Sequence, residues 1–166
     1  LREDDLVQLA EILRSAQTAN SFIWTAGNGG SASTAAHLSC DVGKGVGSSH
    51  TLPFRTIAIN EQLVSQSAWA NDHGFENALM NQLKNLAQPG DVLICISGSG
   101  NSQNVVNAAR YAKENAIKVV NLLGKDGGAI SNFSDFEIRV NSADMQVIEN
   151  VHLVIVHWLF KALTNL

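Results

Sequence analysis

The sequence predicts an α/β fold: a parallel five-stranded β-sheet with helices on both faces. Five short apolar runs alternate with longer stretches whose apolar residues fall at helical spacing, and the connections between them are short. The composition agrees. Of 166 residues, 45% are hydrophobic and 16% charged, enough apolar material for one core, and the chain reads as one domain over 1–166.

The elements follow in order. Residues 4–19 carry Leu6, Leu9, Ile12 and Leu13 on one helical stripe. The run 22–25 (Phe-Ile-Trp-Thr) is a short buried strand that breaks at Gly27-Asn-Gly-Gly30. A helix is expected to start at Ser31 or Ser33, both good N-cap residues. After Pro53 comes a second strand, 55–59, then helical stretches at about 60–70 and 73–88. Residues 91–97 form a third strand, followed by Gly98-Ser-Gly-Asn-Ser102 and a helix over 105–116. Strands at 118–123 and 135–140 and a long helix from about 145 complete the chain. In such an order, ligands collect at the carboxyl ends of the strands.

Charge and cysteine content exclude several functions. The net charge is -4 and no run of Lys or Arg occurs, so the basic stripe of a nucleic-acid binder is missing. No stretch approaches the ~18 uninterrupted apolar residues of a membrane span. Cys40 and Cys95 form no CxxC pair, and no secretory leader is read at the start, so a reducing, cytoplasmic setting is expected. The low charged fraction leaves few groups to cover a monomer's surface. Contact between sister subunits is therefore expected.

Two loops carry the chemistry. Gly27-Asn-Gly-Gly-Ser31 and Ser97-Gly-Ser-Gly-Asn-Ser102 each follow an apolar strand and precede a helix. Glycines let the backbone turn and present its N–H groups, the helix start adds partial positive charge, and the hydroxyls of Ser97, Ser99 and Ser102 add donors. Either loop alone also reads as a tight βα turn; both together suit a phosphate. The first loop also matches a dinucleotide fingerprint, which wants an acidic residue about 20 positions on. Residues 45–58 contain no Asp or Glu, so no nucleotide cofactor is expected.

The loop 27–32, the stretch His37-Leu-Ser-Cys-Asp41, the pair Asn71-Asp72, the loop 96–102 and the pair Gly127-Gly128 resemble the sugar isomerase (SIS) domain family. The resemblance covers residues 5–165 and is strongest to the phosphoheptose isomerases, which interconvert sedoheptulose 7-phosphate and D-glycero-D-manno-heptose 7-phosphate. It implies a flavodoxin-like three-layer αβα sandwich, assembled as a homotetramer with active sites shared between subunits. It implies sugar-phosphate contacts from Asn28, Gly29, Gly30, Asn71, Asp72, Ser97, Gly98, Ser99, Ser102 and Glu149. Some members hold zinc, and the matching positions are His37, Asp41, Glu149 and His157. The chain departs from the family's pattern in carrying Asp41 for Glu, Glu149 for Gln, and Gly98 within the serine loop.

Aldose–ketose isomerisation needs a base for a carbon-bound proton, and an acid or a metal for the developing oxyanion. The resemblance assigns Asp41, Glu149 and His157 to this work. His37 and Asp41, four apart on a helix, share a face, a common spacing for two ligands of one metal and equally for an ordinary ion pair. On the last helix Glu149 lies about 60° from His152 and about 80° from His157, so periodicity alone does not choose between the histidines. Only the resemblance favours His157. Glu149 and His157 are also ~12 Å apart along a regular helix, which allows one common site only if they serve different subunits or the helix begins near 149. A second class remains open: a non-catalytic member that binds a sugar phosphate or a replication-initiator protein. Such relatives tend to lack the helix carboxylate and the terminal histidine.

Overall fold

The computed structural model describes residues 1–46 and 52–165. Six helices are α1 (Glu3–Thr18), α2 (Gly30–Cys40), α3 (Leu63–His73), α4 (Phe75–Leu86), α5 (Gln103–Glu114) and α6 (Met145–Asn165). Five strands are β1 (Phe22–Ala26), β2 (Arg55–Ala58), β3 (Val92–Ser97), β4 (Lys118–Leu123) and β5 (Phe136–Arg139). Every strand pair is parallel, and the sheet order is β2-β1-β3-β4-β5. This is the doubly wound arrangement that the strand–helix alternation predicts.

The central strands read as unbroken apolar runs because both faces are covered, and period 2 divides them. Ile94 and Ile96 of β3 face the core built with α1, α2 and α6, where Leu9, Leu13, Leu38 and Leu159 are buried. Leu93 and Cys95 face the other core, with Leu79 and Leu83 of α4 and Val105 and Ala109 of α5. At the amino ends of the strands the Asp91 carboxylate accepts from the Phe22 N–H (2.9 Å), Trp24 Nε1 (2.9 Å) and the Gln88 N–H (3.0 Å). That buried anchor ties the start of β3 to β1.

Three local features differ from expectation. α2 begins at Gly30 rather than at Ser31 or Ser33, because Gly29 adopts φ 53° as N-cap, a left-handed value that glycine reaches without strain. The chain then leaves α2 through a π-helical segment, Asp41–Val46. Finally, α6 is long and apolar enough, by length and composition, to cross a membrane, with a mean hydropathy of 1.3 over 18 of the residues of Met145–Thr164. A core helix passes the same test, and Ile148, His152, Ile155, Val156, Leu159 and Leu163 are buried.

Candidate functional site

In the order β2-β1-β3, the chain leaves β1 toward one side of the sheet and later returns to the other. The crevice between β1 and β3 is thus the topological switch point where ligands bind in such folds. The two glycine-serine loops are its walls. In the second, Ser97 Oγ accepts the Gly100 N–H at 3.0 Å and Ser99 Oγ accepts the Asn101 N–H at 3.2 Å, which leaves each hydroxyl its own proton to donate. Ser102 is the N-cap of α5 but makes no side-chain cap bond. Ser97 is buried, Ser102 half-buried and Ser99 exposed, a graded set of donors around one helix start.

The turn after β4, readable from sequence as a simple turn, is built into this wall. The Gly124 N–H donates to the Gly98 carbonyl (3.1 Å), the Ile130 N–H to the Gly100 carbonyl (3.0 Å) and the Ala129 N–H to Asn101 Oδ1 (2.9 Å). Gly100 has φ 63°, and a Cβ there would run into the Gly127 carbonyl. A side chain on Gly98 would collide with Met145 at the start of α6.

In the first loop the Gly27 N–H donates to Asn60 Oδ1 (2.9 Å), and Asn28 exchanges two hydrogen bonds with Asn104. Glu149, half-buried, lies against Gly30: a Cβ built on Gly30 would stand 2.5 Å from Glu149 Oε2. The carboxylate thus sits at the positive end of α2.

Further along the same two helices, His37 and His157 meet. Their Nε2 atoms are 3.2 Å apart, and His37 Nε2 is 3.1 Å from Asp41 Oδ2. Because Gly30 faces Glu149 and His37 faces His157, α2 and α6 run side by side in one direction. Phe160, one turn beyond His157, packs so closely on the π-helical segment that a Cβ on Gly45 would stand 2.6 Å from its ring. The widened segment is held from the other side as well: a Cβ on Gly43 would collide with Thr56 Oγ1, whose hydroxyl donates to the Ser39 carbonyl at the end of α2 (2.8 Å).

The ligand atoms of His37, Asp41 and His157 all lie within 4.8 Å of one another. Donors at ~2.0–2.1 Å from a tetrahedral zinc stand roughly 3.3 Å apart, so the 3.1 and 3.2 Å separations fit that ion, as does the two-imidazole, one-carboxylate donor set.

Within one chain, then, the expected site residues fall into three places. Asn28, Gly29, Gly30, Ser97, Gly98, Ser99, Ser102 and Glu149 line the crevice. His37, Asp41 and His157 form the second group, roughly 12 Å from Glu149 along α6. Asn71 and Asp72 are exposed on α3, where Asn71 Nδ2 donates to Asp72 Oδ1 (2.8 Å). His152 takes the core role: it is fully buried, with Nε2 3.3 Å from the Leu123 carbonyl. Sequence reasoning missed Asn104 and Asn60, whose only signal was an asparagine near each loop.

The chain resembles known proteins over most of its length. The SIS domain family model matches residues 1–124. A phosphoheptose isomerase of Nitratiruptor sp. is 42% identical over 81% of this chain and 72% of its own length. One from Pelobacter propionicus is 36% identical over 95% of this chain and 80% of its own. The solved phosphoheptose isomerase of Neisseria gonorrhoeae superposes with a TM-score of 0.91 at 29% identity, over 99% of this chain and 87% of that one.

Proposed function

We infer, from the premise that this chain belongs to the SIS domain family and within it to the phosphoheptose isomerases, that it interconverts sedoheptulose 7-phosphate and D-glycero-D-manno-heptose 7-phosphate. The observation that carries the reading is the pairing of a phosphate-type loop at the switch point with the cluster His37, Asp41 and His157. Residues 1–166 act as one SIS domain.

The reaction moves one proton between neighbouring carbons. A base takes a proton from C1 of the ketose, an enediolate forms across C1 and C2, and C2 is protonated. O1 loses its proton and becomes the aldehyde oxygen, while O2 gains one and becomes a hydroxyl. No external oxidant or reductant is needed. Ser97, Ser99, Ser102 and the start of α5 hold the phosphate, and the chain around Asn28, Gly29, Gly30 and Gly98 shapes the sugar's bed. Asp41 and Glu149 are the carboxylates for proton transfer or, where a metal is held, for its ligation, and His157 is the acid–base partner or a ligand. His37, Asp41 and His157 would hold a zinc ion, with Glu149 as a further ligand from another subunit. When bound, that ion supplies polarisation of the sugar's carbonyl or enediolate oxygen.

The protein works in the cytoplasm as a homotetramer with shared sites. Support comes from α3, which has no buried residue and exposes Leu63 and Val64, 72% and 83% exposed. A second copy over α3 would cover them and bring Asn71 and Asp72 to a sugar. The direct test is incubation with sedoheptulose 7-phosphate and chromatographic separation of the isomeric heptose phosphate. Binding of the ketose without any conversion would overturn the isomerase reading.

A further inference from the structure

We propose that Asn104 is a positioning residue of the sugar-phosphate crevice, its amide paired to that of Asn28 so that the loop after β1 is locked to the loop after β3. The proposal rests on the reading of that crevice given above. Asn28 Nδ2 donates to Asn104 Oδ1 at 2.8 Å, and Asn104 Nδ2 donates to Asn28 Oδ1 at 2.8 Å. Two antiparallel hydrogen bonds between amides fix both the separation and the relative orientation of the groups they join, which a single hydrogen bond does not.

The pair bridges two different βα units. Asn28 precedes Gly29 and Gly30, the most permissive stretch of the first wall, with Gly29 at φ 53°. Asn104 stands in the first turn of α5, two residues past Ser102, and is 2% exposed. At that burial an amide without a partner is costly, so the rigid helix start and the soft loop constrain each other. The loop is held from behind as well, by the Gly27 N–H on Asn60 Oδ1. Asn28 keeps one N–H and one carbonyl lone pair beyond the pair, the groups left to meet a sugar hydroxyl. Asparagine is the side chain that fits: aspartate lacks the donor for Asn28 Oδ1, leucine has neither group, and glutamine is one methylene too long.

The test has two arms. In the first, hydrogen exchange read by mass spectrometry compares the parent with Asn104→Leu, without ligand. The amides of 27–33 should exchange faster while those of β3 and β4 keep their protection. Unchanged exchange over 27–33 would overturn the lock. In the second, calorimetry measures sedoheptulose 7-phosphate affinity in a double-mutant cycle. Asn104→Leu should weaken binding about tenfold in the parent and less than about twofold in the Asn28→Ala background, because the lost effect runs through Asn28. An equal factor in both backgrounds would show a merely structural role and sink the proposal. If Asn104→Leu does not fold, Asn104→Asp, which keeps the shape and removes the donor, carries both comparisons. A parent that fails to bind the ketose phosphate would defeat the functional reading alone, and the exchange arm would then decide the lock.

Discussion

At the scale of single residues, the group His37, Asp41 and His157 makes the sharpest claims. Asp41→Asn keeps size and removes both the charge and the basic lone pair. It should cut turnover by ~100-fold or more, in line with loss of a general base or ligand, while ketose-phosphate binding by the loops survives. His157→Gln should do the same, and comparable turnover in the two variants and the parent would refute the assignment. A chelator should lower the activity of the parent, and added zinc should restore it; no response to either would remove the metal from the reading. His152 makes a separate prediction about pH. Burial holds its ring below the ordinary value of 6.5, with the Leu123 carbonyl pulling weakly upward. The folded protein therefore keeps His152 neutral where the unfolded chain takes up a proton. Its contribution is fully present above about pH 6.5 and is lost as pH falls from there toward the depressed folded value, at a slope of at most about 1.4 kcal/mol per pH unit. Urea melts at pH 7.5 and 5.5 should show the parent losing more stability than His152→Gln over that interval. Equal losses would assign the acid sensitivity elsewhere. The sequence showed that Glu149 and both histidines interrupt an apolar helix, but a helical wheel gives only angles. Which histidine faced a partner depended on where α2 packs.

At the scale of elements, the serine loop and the turn after β4 behave as one unit. Gly100→Ala would put a methyl group against the Gly127 carbonyl at a residue held at φ 63°. The variant should lose more than about 1 kcal/mol of stability and weaken phosphate binding together, since the strained loop also carries Ser99 and Ser102. Chemical denaturation that matches the parent would contradict the close approach. Ser99→Ala with Ser102→Ala should instead leave stability nearly intact. Ketose-phosphate affinity should fall by ~2–4 kcal/mol, from two lost bonds to a charged group of ~1.5–3 kcal/mol each that are not fully additive. Calorimetry separates the two cases. Both loops were legible because glycine and serine directly after an apolar run is a local signal. The π-helical segment was not, because its extra width is held by distant contacts with Thr56 and Phe160.

At the scale of the whole molecule, the arm formed by α3 bears on assembly. It packs chiefly on α4 and buries none of its own residues, while Phe75 just beyond it is also exposed. Sedimentation should give about four times the 17.8 kDa chain mass, and Leu63→Asp with Val64→Asp should reduce both that mass and turnover. A 17.8 kDa monomer at micromolar concentration would make shared sites untenable.

Local sequence encodes the strand and helix order, the parallel covered sheet and the two glycine-serine loops. Each of these is written in local periodicity or in glycine placed directly after a strand. Tertiary structure decided everything that depends on distance between elements. It set Glu149 beside Gly30 while bringing His157 to His37, and it paired Asn28 with Asn104 across 76 positions of chain. The physical reason is that periodicity fixes where a side chain points on its own helix or strand. Which group it meets is fixed only when burial of both cores sets how the helices lie on the sheet.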